Sequence, residues 1–209
     1  MFSIRIFGVA GIAAALVLML GLAMPPGATA AAACTSDKNR DDVSQAQAQA
    51  LYECIEGAML AGYSKAKDVP GVPDFRTWKL VSTAPLVSAT HGNMFVNHWI
   101  NDLGVEIYVK WEEMNGARFP IGTIFAKESF RITEEGVVKR GPLFLMEKVA
   151  TDVALDGWVY TRIFPNGKYQ RTNGPKSEKM VFCHDCHAAT IEDQDAAFFP
   201  PEEYRIETE

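Results

Sequence analysis

Positive charge is in short supply in this sequence. The chain carries 20 Lys and Arg against 26 Asp and Glu, a formal net charge of −6. An acidic balance of that kind argues against nucleic acid and against anionic membranes as partners. Histidine is scarcer still: only His91, His98, His184 and His187 occur, beside four cysteines. A structural zinc site commonly takes four ligands, often from two spaced pairs. Only one such short cluster is present, so zinc would need ligands recruited from a distant strand. No period recurs along the chain, which removes solenoids and propellers. No low-complexity linker divides it either. Neither Met nor His follows His187.

The chain begins with a segment that reads as a signal peptide over residues 1–30. Arg5 supplies the positive n-region, residues 7–24 are almost unbrokenly apolar, and Ala28-Thr29-Ala30 fits a small-x-small cleavage site. The expected location is therefore periplasmic or secreted after cleavage. An apolar run of this length is near the lower limit for spanning a bilayer, so an uncleaved anchor is the alternative. Cys34 follows three alanines, which opens a lipoprotein alternative, although the leucine usual three positions earlier is absent. Export to an oxidising compartment permits a Cys34–Cys54 disulfide.

Past the leader, the remaining chain is long enough for one well-buried domain. Residues 31–74 form an N-terminal helical segment. Leu51, Cys54, Ile55, Met59 and Leu60 recur at helical spacing, which predicts one amphipathic helix over residues 42–66, stopped by the prolines at 70 and 73. Residues 75–209 form the main domain. Short β-branched and aromatic segments at 94–100, 105–111, 123–132, 143–149 and 158–164 are separated by turn signals such as Asn101-Asp102, Asn115-Gly116 and Asn166-Gly167. The expected fold is α+β, a mainly antiparallel β-sheet with flanking helices.

Cys183-His184-Asp185-Cys186-His187 matches the C-x-x-C-H pattern of c-type haem attachment. Two thiols one helical turn apart can add to the two vinyl groups on one porphyrin edge. The adjacent imidazole of His187 then lies under the iron as its axial ligand. The expected cofactor is one covalent haem c. A thioredoxin-like C-x-x-C belongs early in a βαβ unit, not after a run of strands. With no Met or His downstream, the opposite face of the haem must come from upstream strands, and a five-coordinate iron is expected.

Residues 119–128, Phe-Pro-Ile-Gly-Thr-Ile-Phe-Ala-Lys-Glu, together with the C-terminal C-x-x-C-H and Gly157-Trp158, resemble the cytochrome P-460 family, which includes the cytochromes c′-beta. The resemblance implies a mainly antiparallel sheet, a homodimer and one haem c. In the P-460 branch a strand lysine is bonded to a meso carbon of the porphyrin, and Lys127 matches that position. That branch oxidises hydroxylamine, with nitric oxide as ligand and possible substrate, and passes electrons to another cytochrome. The c′-beta branch binds nitric oxide without turnover. A plain electron carrier would require a sixth ligand.

Strand alternation puts Phe125, Lys127 and Ser129 on one face, and Ile124, Ala126, Glu128 and Phe130 on the other. Neither face is cleanly polar, so a solvated Lys127 is the alternative. Proton release from hydroxylamine calls for a base near the iron, for which His98 and Glu147 are the candidates. Phe95, Phe125 and Phe144 are the candidates for an apolar cap instead. His91, beside Gly92, is read as a turn residue.

Overall fold

The structure, a computed structural model, describes residues 1–2, 33–151, 154–174 and 177–207. The expected leader and its cleavage site therefore lie outside the described residues, apart from its first two. From Ala33 onward the chain forms one compact unit.

Helix α1 (Gln45–Tyr63) starts at Ser44, whose hydroxyl accepts from the Gln47 backbone N–H while the Gln47 side chain accepts from the Ser44 N–H. This reciprocal box satisfies donors that a helix start leaves open. It begins the helix three residues later than apolar spacing alone suggested. Ala48, Tyr52, Ile55, Met59 and Tyr63 are buried at intervals of three or four, so one face of the helix packs onto the sheet.

The Cys34–Cys54 disulfide is present. The Cys34 carbonyl also accepts from the Val138 N–H at 2.9 Å, so the bond ties the middle of α1 to the strand that begins there. Acylation of Cys34 and this disulfide exclude each other, because both need the same sulfur. The bond closes a sequence separation of 20 residues, for which chain entropy gives about 3 kcal/mol. Cys54→Ser should lower the stability of the oxidised protein by about that amount in a urea titration, and reductant should do the same to wild type.

Among the described residues seven strands form one antiparallel sheet: β1 (Lys79–Leu80), β2 (Leu86–Ser88), β3 (Met94–Ile100), β4 (Ile124–Ile132), β5 (Val138–Lys148), β6 (Trp158–Ile163) and β7 (Tyr169–Arg171). Their order is β1-β3-β4-β5-β6-β7, with β2 also paired to β3. Three of the predicted strands match closely, and β5 begins earlier than expected. Residues 105–111 do not form a strand. They belong to helix α2 (Asp102–Tyr108) and a 3-10 turn from Trp111 to Met114. Asn101 precedes α2 and ties it to β4: its amide donates to the Gly122 carbonyl and accepts from the Ile124 N–H. Gly104 permits the close approach, since a Cβ there would lie 2.4 Å from the Thr123 methyl.

The sheet is covered on both faces, which gives two cores. Toward α1 lie Phe95, Ile124, Ala126, Phe130, Leu143 and Ile163. Toward the C-terminal helices α3 (Val181–His187) and α4 (Ile191–Gln194) lie Ile100, Phe125, Met146, Trp158 and Tyr160. The alternation expected along β4 is therefore the alternation observed. Val138 and Leu143 are five apart, yet both join the α1-side core, which an unbroken strand does not allow. The pairing shifts between Glu128 and Phe130, where one residue of β4, Ser129, faces two of β5. The extra residue falls at Gly141-Pro142, where a Cβ on Gly141 would lie 2.3 Å from the Ser129 hydroxyl.

Candidate functional site

Cross-strand register sets the floor of the site. His98 of β3, Lys127 of β4, Phe144 of β5 and Arg162 of β6 stand directly opposite one another in a single row. All four line a cavity of about 460 Å³ on the face away from α1, within the usual range for a cofactor or ligand pocket.

The roof of this cavity is α3. Within the C-x-x-C-H stretch Cys183, Cys186 and His187 line the cavity, at helical spacing that puts them on one side. His184 turns away and lies 3.3 Å from Asp156. Both cysteines are free thiols. Burial pushes the Cys183 thiol up to about 11, the reverse of the lowered value that a redox-active C-x-x-C needs. Among the described residues no three His, Cys, Asp or Glu side chains gather as a metal site, which disfavours zinc.

His187 is buried, and its Nδ1 lies 2.7 Å from the Ala196 carbonyl oxygen. A carbonyl only accepts, so Nδ1 carries the proton and Nε2 is left with a lone pair, the tautomer that a metal ligand requires. Burial is the main cause that lowers His187 to about 4, so the ring is neutral. The Ala196 carbonyl is itself held in place. Asp195 and Ala196 both adopt left-handed backbone, at φ 47° and 66°, which costs about 1–2 kcal/mol per residue. The buried Asp195 carboxylate fixes that turn by accepting from Lys148 Nζ at 2.7 Å and from the Phe119 N–H at 2.9 Å.

Lys127 is half-buried on the cavity wall and not a solvated surface lysine. Burial lowers its amine to about 8. His98 lines the same wall, buried, with its Nδ1 3.4 Å from the Tyr108 hydroxyl. Burial holds His98 neutral, its value pushed well below the usual histidine range. Glu147 is not brought to the site. It shares the face of Leu143 and Leu145 and pairs with Arg171. Phe95 is likewise on the other face, stacked on Phe130 with ring centres 5.0 Å apart. Phe125 and Phe144 do line the cavity.

Two features had no signal in the sequence. His91 does occupy a 3-10 turn ended by a left-handed Gly92, but its ring also reaches the cavity, 4.8 Å from Phe144 and 6.5 Å from His187 between ring centres. Arg162 adds a cation to a wall that is otherwise largely apolar.

The residues present fit a haem. The wall has paired thiols and an imidazole with a free Nε2 on its roof, aromatic rings for the macrocycle, and Arg162 for a porphyrin carboxylate. Tyr160 Oη and Arg162 Nε are buried there without a hydrogen-bond partner, as expected of a wall shaped around a polar-edged group.

The family model described as Cytochrome P460 matches residues 72–199. The match spans the sheet, the cavity and the C-x-x-C-H helix, and starts beyond α1 and its disulfide. No curated protein matches the chain.

Proposed function

We propose, for a chain that belongs to the cytochrome P460 family and is thus a haem-binding c-type cytochrome, that it carries one haem on Cys183 and Cys186 and oxidises hydroxylamine. The observation that supports this most is the convergence of Cys183, Cys186, His187 and Lys127 on one cavity. When bound, a haem would supply a redox-active iron able to take up electrons from the substrate. The reaction balances as NH2OH → NO + 3H⁺ + 3e⁻, and as NH2OH + NO → N2O + H2O + H⁺ + e⁻ where nitric oxide is the second substrate. A separate c-type cytochrome takes the electrons. Signal-peptide cleavage delivers the protein to the periplasm, where it assembles as a homodimer.

The chain's own residues have distinct parts in this. His187, held by the Ala196 carbonyl, would offer its Nε2 to the haem iron. Phe125 and Phe144 keep bulk water from the reacting face. Lys127 offers an amine that is partly unprotonated near neutral pH, which is what bonding to a meso carbon requires. That bond replaces one N–H and one C–H by C–N. Forming it would release two protons and two electrons, so an external two-electron oxidant would be required.

Lys127→Ala tests the bond. Wild type matured with the cytochrome c assembly machinery should show a ferrous Soret band displaced to the red, and the variant should show an ordinary haem c band with hydroxylamine oxidation lost. Identical spectra would remove the bond from the proposal. The apolar wall of Phe125 and Phe144 favours one second reading, reversible nitric oxide binding. Wild type with covalent haem, tight nitric oxide binding and no hydroxylamine turnover would establish it.

A further inference from the structure

His91 and His187 reach the same cavity from different elements. His187 belongs to α3, and His91 to the turn between β2 and β3. Each engages its Nδ1 with a hydrogen-bond partner. His187 donates to the Ala196 carbonyl, and His91 Nδ1 lies 2.8 Å from the Ser88 hydroxyl. The serine can accept that proton, so both rings can hold the tautomer with a lone pair on Nε2. Phe144 supports the His91 ring edge-on at 4.8 Å.

Their separation is informative. A metal–imidazole bond of about 2 Å, plus about 1 Å from nitrogen to ring centre, puts two imidazoles on one metal about 6 Å apart. A small ligand on the metal, hydrogen-bonded to the second ring, would need about 9 Å. The ring centres are 6.5 Å apart, close to the first separation and well short of the second.

From this we infer that His91 is the second axial ligand of the haem iron in the resting protein. A nitrogen-oxide or hydroxylamine ligand then gains the iron only by displacing His91. The inference rests on the haem reading above and deepens it, turning the face opposite His187 into one that is closed until substrate opens it. The turn suits displacement: Thr90, Gly92 and Asn93 are exposed, and the left-handed Gly92 and Asn93 follow directly.

The test is the spin state of the matured ferric protein, by electron paramagnetic resonance and near-infrared absorption, in wild type, His91→Ala and His91→Met. Wild type should be low-spin with a bis-imidazole near-infrared band. His91→Ala should be high-spin, regain low spin with added imidazole, and bind cyanide about tenfold faster or more. His91→Met should stay low-spin with a histidine–methionine band and a raised potential. A high-spin wild type overturns the inference, as does a low-spin His91→Ala, which would place the ligand elsewhere. Absence of acid-stable haem in wild type would instead sink the haem reading itself, and the inference with it.

Discussion

Cys183→Ala combined with Cys186→Ala leaves the chain without covalent haem. The expectation is all-or-none, because the two sulfurs are the only free thiols among the described residues, with Cys34 and Cys54 joined to each other. Either single variant retains one thioether and should keep haem after acid extraction at reduced yield. The double variant should lose it entirely, read as absence of the haem mass increment on the intact protein. The same variant should still fold on the α1 side. That core is built largely on Tyr52, Met59, Phe75, Phe130 and Leu143, and none of these five lines the cavity. Far-ultraviolet circular dichroism close to wild type is expected, together with a lower melting temperature from loss of the bound group. Full acid-stable haem in the double variant would show that the cofactor is held some other way.

Glu128→Ala should cost about 3–5 kcal/mol, the largest stability effect of any single substitution proposed for this protein. Glu128 sits in the α1-side core with a fully buried side chain, where its carboxylate accepts from the Tyr52 hydroxyl at 2.7 Å and pairs with Arg76. Removing it leaves an Arg76 side chain only 18% exposed, with Nε already buried and unpartnered, and the more solvated Glu56 at 3.7 Å as its remaining counter-charge. Tyr52→Phe removes one hydrogen bond and should cost about 1–2 kcal/mol. The contrast is with Glu147→Ala, whose partner Arg171 and own side chain are both partly solvated, so about 1 kcal/mol or less is expected. Urea titrations of the three variants check this. A Glu128→Ala loss no greater than that of Glu147→Ala would mean that the buried pair is not sustained as charges.

Much of this was legible beforehand, for physical reasons that can be named. β3, β4 and β6 announce themselves by β-branched and aromatic residues between turn signals, and α1 by its three-and-four spacing. The C-x-x-C-H run identifies its own face, since helical geometry sends Cys183, Cys186 and His187 one way and His184 the other. What alternation does not say is which face is which. The sheet is buried on both sides, so both faces of β3 and β5 read as apolar. Phe95 and Glu147 are therefore candidates for the cavity by sequence, yet both lie on the α1 side. The 105–111 segment misled because Asn101-Asp102 signals a turn and a helix start equally well. Tertiary contact through Gly104 and Asn101 decided for the helix. His91 carries no local mark at all: its relation to His187 spans most of the domain and exists only after folding.

The Gly141-Pro142 irregularity has a meaning for how this strand pair tolerates length change. It separates β5 into an outer stretch beside Val138 and an inner stretch carrying Phe144 and Met146, each with its own phase. Residues inserted or removed in pairs at the outer hairpin would leave the inner phase untouched, and relatives should differ in length there. Loss of a single residue at the irregularity itself would rotate one stretch against the other. Either the cavity wall or the packing on α1 would then be turned inside out, so insertions and deletions should avoid that one spot.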